Sequence, residues 1–270
     1  MKGKDLRKLE EKLINYQGED RVVSFQEMNE ELSESTGSSV IFRSGLSRLD
    51  DLVGGFEPGE LIVVSGRPKS GKTLFLQSLT QKFDLEKVPS LWFSYELPPR
   101  QFLRCFEDLP DAYMPRRMEL ADLGWLEQRI WEAKLKYGLQ IVMIDHLHYL
   151  VDMSRLRNPS LEIGTVARKL KCMAIEHNQL IFLIWHTSKI RRGEEPQGED
   201  IRDSSFALQE PDTVLMLWRV ANRDDEIGNQ ARLKVVMTRR TGVIERTIKV
   251  EKVGDRLVEL EEHQNENWID

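Results

Sequence analysis

Gly66-Arg67-Pro68-Lys69-Ser70-Gly71-Lys72-Thr73 has the spacing G-x-x-x-x-G-K-[ST] without a mismatch. The residue types explain one another. Glycines let the backbone curl around a polyphosphate, and successive N–H groups opening into a helix supply donors and the positive end of a helix dipole. Lys72 brings charge to the β- and γ-phosphates, and the Thr73 hydroxyl is a ligand for Mg²⁺. These eight residues therefore read as a nucleotide-binding loop.

Such a loop needs a carboxylate at the end of a neighbouring strand to order the metal. Gln140-Ile141-Val142-Met143-Ile144-Asp145, an apolar run ending in Asp, has that form, which assigns Mg²⁺ to Thr73 and Asp145. Hydrolysis also needs a group that polarises water. Glu96 closes the strand-like run Leu91–Tyr95, where a carboxylate can act as general base; ahead of Pro98 and Pro99 it can equally be a helix-entry acid. The spacing leaves both roles open. His146 and His148 follow Asp145, but with no further Cys or His nearby they do not make a metal cluster.

The elements that must hold these groups alternate along the chain. Expected strands are Leu61–Ser65, Ser90–Ser94, Gln140–Ile144, Leu180–Trp185, Thr213–Leu217, Leu233–Thr238 and Thr247–Val250. The earlier ones are continuous apolar runs, the pattern of strands covered on both faces, and helical patterns such as Ser160–Glu176 separate them. This predicts an α/β domain with a mostly parallel sheet over residues 40–258, its last strands forming an antiparallel edge. Residues 1–39 read as a short helical arm: Leu6, Leu9, Leu13 and Tyr16 form one stripe, and Ser24 to Glu27 has the capping-box form. The arm either folds back on its own chain or docks on a neighbour. Residues 259–270 form an acidic tail ending Asn267-Trp268-Ile269-Asp270.

With 31% charged and 40% hydrophobic residues, the 270-residue chain is neither disordered nor fibrous. Its longest apolar run, Leu180–Trp185, is far short of the ~20 residues a bilayer span needs, so no membrane role and a cytoplasmic location are expected. Two cysteines exclude a disulfide framework or zinc ribbon. A net charge of −6 argues against indiscriminate nucleic-acid coating while permitting a local basic channel.

The order of motifs over residues 40–260 resembles the RecA-like motor domain of the DnaB-type, superfamily 4 replicative helicases. The resemblance starts at Ser44-Gly45-Leu46-Ser47-Arg48-Leu49-Asp50 and the Gly54–Gly59 approach to the phosphate loop. It implies a RecA-like P-loop ATPase that takes ATP and Mg²⁺. Phe93-Ser94-Tyr95-Glu96-Leu97-Pro98 resembles the segment bearing the family's catalytic Glu. His186, in Ile184-Trp185-His186-Thr187-Ser188, falls where the phage and mitochondrial branch carries a γ-phosphate sensor. Asp200 to Asp212 looks like the family's D-[LI]-R-x-S-G…Q-x-x-D signature, with Ser205 in place of Gly, which implies that Arg202, Asp203 and Ser205 face DNA. Arg239-Arg240-Thr241-Gly242 resembles the hairpin that places an arginine finger, here Arg240, in the next subunit's ATP site.

Two basic segments complete the reading. One carries Arg155 and Arg157; the other carries Lys189, Arg191, Arg192 and Arg202. Neither interleaves aromatics, so they suit phosphate-backbone contacts on single-stranded DNA more than base stacking. The resemblance implies an ATP-driven DNA helicase that forms a hexameric ring, with polymerase or primase as further partners of the tail or arm. The rivals are a RecA- or KaiC-type ATPase in recombination or signalling, and a helicase-like accessory subunit that does not unwind.

Overall fold

The computed structural model describes residues 3–18, 20–36, 40–151, 159–187, 195–201, 204–221 and 227–260. It divides into two compact units, 1–40 and 41–270. The first holds helices α1 (Gly3–Ile14) and α2 (Phe25–Thr36). Ser24 Oγ accepts the Glu27 N–H at 3.0 Å, the capping contact expected at the start of α2. Arg21 pairs with Glu27 and Glu31. The apolar stripes are not buried: Leu13 is 62% and Leu32 54% exposed.

The second unit is built on a nine-stranded sheet. Its strands are β1 (Leu61–Gly66), β2 (Ser90–Ser94), β3 (Ala112–Tyr113), β4 (Ile141–Asp145), β5 (Leu180–His186), β6 (Thr213–Ala221), β7 (Ile227–Thr238), β8 (Ile244–Val253) and β9 (Arg256–Glu259), in the order β3-β2-β4-β5-β1-β6-β7-β8-β9. Neighbours from β3 through β6 pair in parallel, and β6 through β9 pair antiparallel. All seven expected strands occur. β3 and β9 were not foreseen: one is two residues long, and the other is half-exposed and half polar. Glu259, expected in the tail, ends β9, and its carboxylate meets Arg48.

The continuous apolar runs are explained by burial on both faces. Ile62 and Val64 of β1 point into a core under α4 (Lys72–Leu85) and α3 (Ser47–Val53), whereas Leu61 and Val63 point into a second core under α6 (Leu123–Tyr137) and α7 (Pro159–Glu176). Trp92 is fully enclosed, and its indole N–H donates to Thr80 Oγ1 at 2.9 Å. Two motif acids prove structural. Asp50 accepts the Ser44 and Gly45 N–H groups, holding the loop before α3. Asp212 accepts the Leu61 N–H and the Lys171 ammonium, fixing where β1 begins. Among the described residues no helix is long and apolar enough to cross a membrane.

Candidate nucleotide site

Register brings the candidate groups together. β5 lies beside β1 with His186 opposite Gly66, and β2 lies beside β4 with Ser94 opposite Asp145. The Tyr95 N–H continues that ladder to the Asp145 carbonyl at 2.9 Å, delivering Glu96 to the same edge. A cleft of about 540 Å³ opens there, lined by residues 68–73, Glu96, Asp145 and His186. This is the carboxyl end of a parallel sheet, where α/β folds place ligands.

The loop needs its glycine at β1's exit. Gly66 has φ 146°, and a Cβ there would fall 2.2 Å from the Leu217 carbonyl oxygen. α4 then starts at Lys72, whose ammonium donates to the Gly66 and Arg67 carbonyls at 3.0 and 2.9 Å. Lys72 is 6% exposed; burial lowers its pKa to about 8, although Asp145 and Glu96 pull it up. Asp145 is 3% exposed and accepts the Thr73 hydroxyl at 2.7 Å through Oδ2. Burial raises its pKa to about 6, with Glu96 adding to the rise while Thr73 and Lys72 oppose it. Its Oδ1 is buried without a hydrogen-bond partner. A buried carboxylate oxygen beside a hydroxyl is the donor chemistry of a hard cation, so Thr73 and Asp145 fit Mg²⁺.

The structure brings a third histidine to the pair that follows β4. His186 lies near His146 and His148: its ring centroid is 4.1 Å from that of His146 and 5.6 Å from that of His148. Burial, then His186, His148 and Lys72, push the His146 pKa down to about 3, so this ring is neutral at pH 7. Tyr149 lies against His146 at 4.8 Å and stacks on Tyr95 at 5.7 Å, linking the residue before Glu96 to His186 through aromatic rings. The sequence reading missed Arg219, Asn229 and Lys252, which line the cleft opposite the loop. Their one sequence signal is position: polar residues on β6, β7 and β8 near the edge that carries Gly66.

Arg240 is elsewhere. It sits in the turn between β7 and β8, beside the start of β1, where its guanidinium pairs with Glu57 at 2.5 Å and Glu60 at 2.6 Å. Five residue steps of β1, about 17 Å at 3.3 Å each, separate that end from Gly66. Arg155, Arg157, Lys189, Arg191, Arg192, Arg202 and Asp203 lie outside the described residues. Ser205 falls in the first turn of α8 (Ser204–Gln209).

The fold and the loop geometry agree with what comparison finds. The family described as DnaB-like helicase C terminal domain matches residues 42–106 and 116–254. The chain belongs to this family. Its DnaB-like relatives include the replicative DNA helicase DnaB of Pasteurella multocida (strain Pm70), 24% identical over 240 residues, covering 74% of this chain and 50% of the relative. Another is that of Mycoplasma pneumoniae (strain ATCC 29342 / M129 / Subtype 1), 28% identical, covering 68% and 48%. The chain thus spans about half the length of these DnaB proteins. The solved ATPase domain of a phage DnaB-like helicase superposes with a TM-score of 0.74 at 20% identity, covering 89% of this chain and all of that one. A DnaB-like replicative helicase, solved in work on its interactions with primase, gives 0.73 at 19%, covering 95% and 71%. The fold is the RecA-like one of DnaB ATPase domains.

Proposed function

We propose that the chain is an ATP-driven motor that assembles as a hexameric ring, moves on single-stranded DNA and separates duplex ahead of it, in the cytoplasm of a bacterial or phage-infected cell. The observation that carries this reading is the meeting of Lys72, Thr73, Asp145, Glu96 and His186 in one cleft at the Gly66 end of β1, with Arg240 held beside the other end of β1. Loop N–H groups and Lys72 would hold the phosphates of ATP, and Thr73 and Asp145 would hold Mg²⁺, which would supply charge neutralisation at the phosphates. Glu96 takes the proton of the attacking water. His186 senses the γ-phosphate. Arg240 cannot reach its own chain's cleft across the length of β1, so it serves the cleft of the adjacent copy.

The basic segments expected to grip DNA follow β4 and β5 in the chain, the first after a short helical turn over Leu147–Leu150 and the second beginning three residues past His186. Changes at the cleft therefore reach them through a few residues. Residues 1–39 act as a docking arm on the adjacent copy, supported by the exposed apolar stripes of α1 and α2. Primase or polymerase contacts belong to this arm or to the acidic tail.

The test is unwinding of a forked duplex together with ATP turnover with and without single-stranded DNA. DNA-stimulated turnover with strand separation is expected, and both should disappear in Lys72→Ala. Stimulated turnover without separation would overturn the motor reading in favour of an accessory subunit.

A further inference from the structure

A second cleft, of about 430 Å³, lies at the β3 edge of the sheet. Its wall is partly made by residues 107–115, the stretch between the two parts of the chain that match the family. Within that stretch, Tyr113 pairs β3 to β2 and stacks on Tyr137 of α6 at 4.4 Å and 29°. Trp125, Arg116, Arg117 and Arg129 complete the lining. Arg129 is paired with Glu132 at 2.5 Å, and Glu132 is also shared with Lys136, so the one acid lining the cleft is already neutralised. The Arg129 Nε is buried without a hydrogen-bond partner. Arg116 and Arg117 are exposed and make no ion pair among the described residues.

Guanidinium groups around aromatic faces select a ligand with carboxylates or phosphates and a ring to stack. The chain carries such a ligand. Residues 261–270 hold Glu261, Glu262, Glu266 and Asp270 with Trp268 and no Lys or Arg, and they too lie beyond the family match. The arginines of the cleft and the carboxylates of this segment carry opposite charges.

Reach decides which copy supplies the segment. β9 and β3 are opposite edges of a nine-stranded sheet, and eight strand spacings of about 4.8 Å put them roughly 38 Å apart. Trp268 is eight residues past Leu260, which extends at most about 28 Å. We infer that the cleft beside β3 receives the acidic, tryptophan-bearing segment 261–270 of a neighbouring copy, strapping adjacent copies together. This does not depend on the chain's being a motor.

The test is fluorescence anisotropy of a labelled peptide of residues 261–270 titrated with the full chain. Saturable binding that weakens with salt is expected. Arg116→Glu with Arg117→Glu should weaken it by at least about tenfold, as should Trp268→Ala in the peptide. A peptide carrying Glu262→Lys should regain affinity for Arg117→Glu. Both arginines are exposed, so the thermal midpoint should match that of the parent chain, separating lost docking from lost folding. Absence of peptide binding, or equal binding to the charge-reversed chain, overturns the inference. So does an oligothymidylate that displaces the peptide and is itself weakened by the same two substitutions, because the cleft then reads nucleic acid.

Discussion

At the Gly66 end of β1, Lys72 and Asp145 are 6% and 3% exposed, and each is pushed away from its ordinary ionisation by burial. At the other end, the Arg240 side chain keeps 24% exposure and is held in its charged form, first by its hydrogen bond to Glu57. The same strand thus ends in an electrostatically costly cluster and in a satisfied one. On the proposed reading the first is finished by something that enters, a polyphosphate with its metal. The second is a presented group, supported from behind by two carboxylates. On the proposed reading a single chain carries two halves of a reaction centre at opposite ends of β1, to be joined by assembly.

The largest effects should come from breaking either end, with different signatures. Lys72→Ala removes phosphate contacts made in the ground state and beyond, so nucleotide affinity and turnover should both fall, turnover by roughly 10³-fold. Arg240→Ala should cost about 10³-fold in kcat while leaving nucleotide affinity near the parent value, as measured by equilibrium binding of a fluorescent ATP analogue. Loss of affinity in Arg240→Ala would mean that the arginine contacts nucleotide within its own chain.

The Gly66 end was the more legible in sequence because its chemistry is contiguous: the loop, an apolar strand and a terminal Asp each write themselves into neighbouring residues. The buried strands of the parallel part of the sheet were legible for the same reason. The Tyr149–His146–His186 contact was not, since it depends on β4 and β5 lying side by side, a pairing between residues about forty apart. The Glu57–Arg240 and Glu60–Arg240 pairs span more than 175 positions. β3 and β9 escaped because short half-exposed strands lack an apolar run. Arg219, Asn229 and Lys252 carry no motif and become visible only when the sheet edge is assembled.

A subtler contrast is in stability. Asp145 has a folded pKa near 6, above its ordinary value, so between those values the folded chain binds more protons than the unfolded one. This contribution makes the ligand-free chain more stable as pH falls from 7 towards 4, while Mg²⁺-dependent nucleotide affinity weakens as Asp145 is protonated below about pH 6. Thermal melts and binding titrations across pH 5–8 should therefore move in opposite directions. Removing the charge has the same logic: Asp145→Asn should abolish turnover yet raise the melting temperature of the ligand-free chain by about 2–4 °C for each kcal/mol relieved. An unchanged or lower melting temperature would show that the buried carboxylate is not strained. The smallest effect is expected at the satisfied end. Glu60→Gln leaves Glu57 in place and should lower kcat only about threefold to tenfold with KM unchanged, because the guanidinium is less well aimed rather than lost.

The most direct test of the two-ended account is to mix Arg240→Ala chains, which keep Glu96, with Glu96→Gln chains, which keep Arg240. Each alone should be inactive. Mixed one to one under assembly conditions, about a quarter of the seams unite an intact Glu96 with a neighbour's Arg240, and DNA-stimulated ATP turnover should return to a comparable fraction of the parent rate. Turnover that stays at the level of the separate mutants would contradict the claim that one chain's arginine completes another chain's cleft.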